Sequence, residues 1–288
     1  MIRVGYGESI MKINKYDGAC VQCGIDVAAG AGRLTGRRGA WKTWCADCEP
    51  VAPSRGTHTG WFDTPLAALD FETTGVNPHH DRIVSYACLD AADAQDPSGD
   101  GLCGLINPGI PVSTAAQKIH RIEPEQLADA PGGQEVIGSL IEWIDRIISA
   151  GTGLVVCNAP FDLTMLHAEA DRYGVDQPDW DRLLVVDPLI MDWGVSDGEI
   201  RPRKLPDLCR FYQVVLTEAH DARSDAIAAR GVAVELGRRD EGIGSVDLAE
   251  LIAKQRQWFA AKAEDWNVYA RSRGRSLDDP HGWPLALS

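Results

Sequence analysis

Two kinds of side chain in this sequence are spaced for metal chemistry: carboxylates along its body and cysteines near its start. Asp70-Phe71-Glu72 sets two carboxylates at i and i+2, directly after the apolar run Leu66-Ala67-Ala68-Leu69. On a strand those positions share a face, so Asp70 and Glu72 can reach one metal site. Asp162 follows the β-rich run Leu154-Val155-Val156-Cys157-Asn158 and falls in the first turn of a helix, where the helix dipole favours a carboxylate. His220 and Asp225 lie five apart. Were His220 already helical, the two would stand about 140° apart around the axis. At the mouth of the helix, His220 can instead lean over a site that Asp225 reaches from the next turn. Hard ions such as Mg²⁺ or Mn²⁺ prefer carboxylate oxygens of this kind.

The cysteines make a different set. Cys20-x-x-Cys23 and Cys45-x-x-Cys48 are separated by 21 residues. Two-residue spacing lets a tight turn aim both thiolates at one ion, and two such knuckles complete a tetrahedron around one structural Zn²⁺. Gly24 stands where such a turn often needs positive φ. Two disulfides or four free thiols are the alternative. Ala28 to Trp44 reads as a hairpin with a glycine-rich turn, too short to bury a core alone, so a metal would supply its folding energy. Four thiolates close the zinc shell and leave no position for a reacting water. Arg33, Arg37, Arg38 and Lys42, beside Trp41 and Trp44, offer either a basic stacking face for single-stranded nucleic acid or a solvated turn with core tryptophans. Zinc ribbons also bind proteins. Cys88, Cys103, Cys157 and Cys209 sit singly in apolar runs and read as small buried hydrophobes.

The elements that must position these residues follow from periodicity and breakers. Strands are expected at Pro65–Glu72, Arg82–Asp90, Gly101–Asn107, Leu154–Asn158 and Leu183–Val186, with a turn-rich segment over Ala91–Asp100. Helices are expected at Ser113–Ile119, Gln134–Ala150, from Phe161, at Lys204–Tyr212 and at Asp221–Leu236. Three strands, then alternating helices and strands, imply an α/β sheet with an antiparallel edge. Val51–Thr59 reads as a linker. Val246–Tyr269 reads as an amphipathic helix with Leu248, Leu251, Ile252, Trp258 and Phe259 on one stripe, either a brace on the body or a docking helix for another subunit. Asp187 and Asp192 read as structural.

Charge divides the chain. Residues 1–58 carry eight Lys+Arg against five Asp+Glu, and residues 59–288 carry 20 against 37, for a whole-chain net of −14. A basic head of +3 sits on a body of −17. Such a body does not coat nucleic acid by charge alone. No run approaches the roughly 18 apolar residues of a membrane span, and Met1–Glu8 lacks the apolar core of a signal peptide. A soluble, intracellular, cytoplasmic protein with no membrane partner is the expectation.

Asp70-Phe71-Glu72-Thr73-Thr74-Gly75, then Asn158-Ala159-Pro160-Phe161-Asp162, then His220-Asp221-Ala222-Arg223-Ser224-Asp225-Ala226 resemble the three motifs of DEDDh-type 3′–5′ exonucleases. Asn107-Pro108-Gly109, His120–Leu127 and Lys204–Cys209 resemble the family's intervening segments. The resemblance covers about residues 64–240, one domain's length. It departs at Arg121, where the family often has Gly, and at Cys157, where it often has His.

The resemblance implies a ribonuclease-H-like mixed sheet flanked by helices. With the other segments it divides the chain into a zinc ribbon and linker (1–58), an exonuclease domain (59–240) and a C-terminal helical extension (241–288). It implies two Mg²⁺ or Mn²⁺ ions held by Asp70, Glu72, Asp162 and Asp225, with Asp70 bridging them and His220 as general base. Phe71, Thr73 and Thr74 would lie against the terminal nucleotide, with Asn158 and His120 lining the cleft. The substrate implied is the 3′ end of a single strand, DNA before RNA, cut to nucleoside monophosphates. A polymerase or another replication or repair protein is the partner implied in trans. The competing readings are an RNA-trimming enzyme and a catalytically silent binding module.

Overall fold

A computed structural model of the chain describes residues 12–37, 40–48, 50–93, 100–196 and 203–287. At its start, β1 (Lys12–Ile13), β4 (Arg33–Arg37) and β5 (Ala40–Trp44) form an antiparallel sheet in the order β1-β4-β5. Between them in sequence, β2 (Gly18–Ala19) pairs antiparallel with β3 (Asp26–Val27). The hairpin expected between the cysteine knuckles is present as β4 and β5. Arg38, one of the expected basic residues, lies outside the described residues. Gly24 takes φ 74°, the conformation its turn demands. Trp41 and Trp44 are three apart on β5 and so face opposite ways. Trp44 is buried and donates Nε1–H to Thr35 Oγ1 (2.7 Å), whereas Trp41 is exposed.

The body is a five-stranded mixed sheet. Its strands are β6 (Leu66–Thr73), β7 (Ile83–Ala92), β8 (Gly101–Leu105), β9 (Gly153–Val156) and β10 (Leu184–Val186), in the order β10-β9-β6-β7-β8. β6, β9 and β10 run parallel, and β7 and β8 are antiparallel. Every residue of β9 is buried, as is each of Leu66–Leu69 on β6. Such unbroken apolar runs suit parallel strands covered on both faces. β7 extends past the expected end at Asp90 to Ala92, and residues 94–99 of the expected turn lie outside the described residues.

Nine helices are described: α1 (Thr114–His120), α2 (Pro124–Ala128), α3 (Gly133–Ala150), α4 (Ala159–Tyr173), α5 (Pro188–Val195), α6 (Leu205–Tyr212), α7 (Ala222–Arg239), α8 (Glu241–Gly244) and α9 (Leu248–Ser272). α3 buries Ile137, Leu140, Ile141, Ile144 and Ile148 with Leu163 and Met165 of α4 on one face of the sheet. α7 buries Ala226, Ala229, Val232, Ala233 and Leu236 on the other. This is the three-layer, ribonuclease-H-like arrangement that the motif order implies.

Two segments differ from a plain linker and a plain stripe. Residues Val51–Thr59 have no regular structure, yet they are fastened to the last turns of α7. Arg55 makes a forked pair with Glu235 (3.0 and 2.6 Å), Gly56 N–H donates to Arg238 O (2.7 Å), and His58 Nε2 bonds Gly237 O (2.7 Å). The apolar stripe of α9 is interrupted by Gln255, wholly buried. Its side chain accepts from Asp187 N–H (2.7 Å) and donates to Val185 O (2.9 Å). α9 thus braces the β10 edge. After it, the chain doubles back: Trp283 enters the core and donates to Asp187 Oδ2 (3.2 Å), and Ala286 N–H donates to Thr164 Oγ1 on α4 (2.9 Å).

Candidate active site

Asp70 and Glu72 project together from the C-terminal part of β6, as strand alternation requires. Phe71, between them, turns into the core, 4% exposed, and its N–H donates to Asp162 Oδ1 (3.0 Å). One backbone bond therefore locks the first turn of α4 onto the strand, with the Asp162 carboxylate beside Asp70. Asp225, in the first turn of α7, accepts from the His220 N–H through Oδ2 (3.2 Å). Its Oδ1 is buried and has no hydrogen-bond partner among the described residues. Ligand atoms of Glu72, His220 and Asp225 all lie within 4.8 Å of one another.

His220 is not helical. Its φ is 67°, Asp221 is the N-cap through Ser224 N–H (2.8 Å), and α7 begins at Ala222. The left-handed residue swings the imidazole out of the helix and over the carboxylates, the second of the two geometries its spacing allows. His120 ends α1 near His220. Its Nδ1 accepts from Ile122 N–H (3.0 Å), and its buried Nε2 points to the Thr73 backbone.

The electrostatics of the cluster are those of crowded, buried carboxylates. Burial first, then Asp225 and Asp162, pushes Glu72 up to about 9. Burial pushes Asp225 up to about 6, despite the His220 N–H that opposes it. Asp70 and Asp162 are also raised, chiefly by burial; for Asp70 the neighbouring carboxylates add to this. Burial, with the positive charges of Lys204 and Arg121, lowers His220 and so favours the neutral imidazole that a base requires. Hard oxygen donors, mutual repulsion and an orphaned buried carboxylate oxygen together fit Mg²⁺ or Mn²⁺.

The remaining expected contacts are placed as follows. Thr73 Oγ1 donates to Gly75 O (2.6 Å). Thr74, almost fully buried, donates to Asp81 Oδ1 (2.9 Å) and accepts from Arg82 N–H (3.0 Å). Asn158 takes φ 68° at the start of α4. Asp187 was not expected to serve the site. Its two oxygens accept the N–H groups of Asn158 and Ala159, each at 3.0 Å, and so hold the turn that delivers Asp162. The signal for it is an Asp-Pro after the apolar run Leu184-Val185-Val186, which reads as a helix N-cap.

The cysteine cluster is separate. The sulfurs of Cys20, Cys23, Cys45 and Cys48 lie within 4.8 Å of one another, and Cys23 and Cys45 are 3.8 Å apart. A tetrahedron with Zn–S bonds of about 2.3 Å has edges of about 3.8 Å. Backbone N–H groups of Cys23 and Cys45 draw the Cys20 thiol down to about 6, towards the thiolate a metal needs. The donor set fits Zn²⁺. Arg33 braces the second knuckle, donating to Cys48 O (3.1 Å).

Residues 67–232 match the RNase_T exonuclease family model. Over 189 residues the chain is 29% identical to the DNA polymerase III subunit epsilon of Rickettsia conorii, covering 64% of this chain and 79% of that protein. It is 27% identical over 186 residues to the PolC-type DNA polymerase III of Caldanaerobacter subterraneus subsp. tengcongensis, covering 65% of this chain and 12% of that one. It is 32% identical over 139 residues to a DNA polymerase III subunit epsilon-like protein of Rhodobacter capsulatus, covering 46% and 19%. The chain thus spans less than a fifth of the length of the PolC-type and epsilon-like relatives. In fold it resembles E. coli exonuclease I in complex with a dA16 oligonucleotide: TM-score 0.52, 18% identity, 67% of this chain and 44% of that one. With the family model spanning more than half of its residues, and the DEDDh motifs in their order, the chain belongs to the exonuclease family in its DEDDh branch.

Proposed function

We propose that this chain is a two-metal-dependent 3′–5′ exonuclease that shortens single-stranded DNA one nucleotide at a time, releasing nucleoside monophosphates. The observation that carries this reading is the clustering of Glu72, His220 and Asp225 within 4.8 Å, beside the raised carboxyls of Asp70 and Asp162, with the buried Oδ1 of Asp225 lacking a hydrogen-bond partner among the described residues. Asp70, Glu72, Asp162 and Asp225 would hold the two ions. When bound, such ions make water nucleophilic and stabilise the leaving oxygen of an in-line displacement. The protein's own part is to fix the four carboxylates through Phe71 N–H and Asp187, and to place His220 where it takes the proton of the attacking water. The water oxygen bonds to phosphorus, the bond to the 3′ oxygen of the preceding nucleotide breaks, and that oxygen gains a proton. His120, beside the Thr73 backbone, and the Thr73–Thr74 backbone are the contacts proposed for the terminal nucleotide, with Asn158 at the cleft wall.

DNA is chosen over RNA because the relatives matched are named as DNA polymerase III proteins and the fold relative holds a DNA oligonucleotide. The same likeness supports a polymerase or repair partner in trans. The three-part division at 58 and 240 is proposed with it, as is one structural Zn²⁺ in the head. Among the described residues no helix is long and apolar enough to cross a membrane. The test is turnover of matched DNA and RNA strands labelled at the 3′ end, with Mg²⁺ and without it. Mononucleotide release from DNA that requires Mg²⁺ is expected. Preference for RNA would move the reading to an RNA-trimming enzyme, and no release from either would leave a binding module.

A further inference from the structure

The segment Tyr269-Ala270-Arg271-Ser272-Arg273-Gly274-Arg275-Ser276 carries three arginines and no acidic residue, inside a body of net −17. Arg271, Arg273 and Arg275 are exposed. None pairs with a carboxylate among the described residues, whereas Arg172, Arg203, Arg238 and Arg239 are tied to Glu169, Asp192 and Glu235. Two of the three rim an aromatic surface. Arg273 and Arg275 stand 6.0 and 5.6 Å from the centre of the Tyr269 ring, and Trp266 lies 5.5 Å from it. Tyr269 is 44% and Trp266 36% exposed. Part-exposed rings beside guanidinium groups that no described carboxylate neutralises match the two things a single strand presents, base faces and phosphates.

The position of this cluster follows from α9. Leu248 packs beside Gly153, the first residue of β9, and Gln255 bonds the backbone just after β10. The helix therefore climbs in the direction of the parallel strands. It continues from Gln255 to Ser272, about 25 Å at 1.5 Å per residue. That carries its end beyond the same edge of the sheet from which Asp70, Glu72 and Asn158 project. β10 is two strands from β6, or about 10 Å. The zinc head is placed differently. Its Val21, Lys42 and Trp44 share a groove with Val195, Phe211, Leu236 and Arg239, at the far ends of α5, α6 and α7. Arg239 is about 21 Å along α7 from Asp225.

We propose that the arginine–tyrosine–tryptophan end of α9 is a second contact for single-stranded nucleic acid, holding the strand upstream of the bond that is cut. This rests on the exonuclease reading for the direction of the strand. The ligand is a single strand because the half-exposed rings of Trp266 and Tyr269 stand beside three exposed arginines, the pairing that base faces and phosphates require.

The test is equilibrium binding of the full chain to a phosphorothioate oligothymidine of about 20 nucleotides, longer than the 4–16 of a typical single-strand site. Affinity is read by fluorescence anisotropy over a salt series. Each phosphate neutralised on a single strand contributes about −0.7 to the slope of log K against log salt, so Arg271→Ala/Arg273→Ala/Arg275→Ala should flatten the slope by about 2. The corresponding triple Lys variant should keep the slope, which separates an ionic contact from a folding fault. Tyr269→Ala should weaken binding about tenfold with the slope unchanged, as loss of one stacked base does. A triple-alanine variant with wild-type affinity and slope overturns the proposal, whether or not the enzyme shortens DNA. An arginine-dependent slope in a wild-type protein that never shortens the natural strand would uphold the contact and overturn the exonuclease reading.

Discussion

Asp225 meets the cleft with one oxygen tied to the His220 N–H and the other bare. Removing that carboxylate, or Asp70, takes a ligand from the cluster and also relieves its repulsion. Asp70→Ala and Asp225→Ala should therefore lose nearly all hydrolysis, with a melting temperature no lower than wild type. Turnover within tenfold of wild type in either variant would remove these residues from the chemistry. His220→Ala should lose about 10²–10⁴ in kcat, the usual contribution of a positioned base, with little change in strand affinity. The acid limb of the wild-type pH profile should vanish with it, and a variant that keeps that limb would show the base to lie elsewhere. Without metal, the folded values of Glu72 (about 9) and Asp225 (about 6) stand above the ordinary 4.5 and 3.8. Folding then favours their protonated forms. That stability is complete below the ordinary values and is lost as the pH rises through 6 towards 9. The melting temperature of the Mg²⁺-free protein should fall across this range, and Mg²⁺ should raise it more at alkaline than at acid pH. A flat metal-free profile would contradict the cluster's electrostatics.

The elements were legible where one rule sufficed. Strand alternation places Asp70 with Glu72, and an unbroken apolar run marks β9 as a buried parallel strand. The residues that lock these elements together were not legible, because their partners are distant in sequence. Asp187 reads locally as a helix cap, and that it is: it also accepts from Leu189 N–H (3.0 Å). Its bonds to Asn158, Ala159 and Trp283 span 29, 28 and 96 residues, and no local pattern announces them. α5 is not announced either, for a local reason: Asp187-Pro188 fits a chain break as well as a helix start. Arg55–Glu235 spans 180 residues and turns an apparent linker into a clamp. His220 was legible as a residue but open in conformation, until its positive φ set it outside the helix. Trp283→Ala tests the long-range joint. It empties a core site and strips a donor from a buried carboxylate, so urea unfolding should show a loss of about 3 kcal/mol. An unchanged midpoint would mean that the tail does not hold the body.

At the scale of the molecule, the basic head and the carboxylate cluster lie at opposite ends of α7. Tethering by the head can therefore help only a strand long enough to reach around the body. Deleting residues 1–58 should raise KM on long single strands at low salt and leave kcat nearly unchanged, because a tether raises local concentration without touching the transition state. The penalty should fade with salt and with shorter strands. Equal KM values for both proteins on long strands would assign the head to a protein partner. The joint between Trp283 and Asp187 has a further consequence for the order of events in a cell. Synthesis delivers the chain from its N-terminus, and folding proceeds in that order. The four cysteines emerge first and can be loaded with metal while the body is still being made. The pocket around Asp187, which holds the turn before Asp162, is filled only when residue 283 has left the ribosome. A polypeptide cut short before that point keeps Asp70, Glu72, Asp162, His220 and Asp225, and lacks the Trp283 donor to the carboxylate that holds the turn before Asp162.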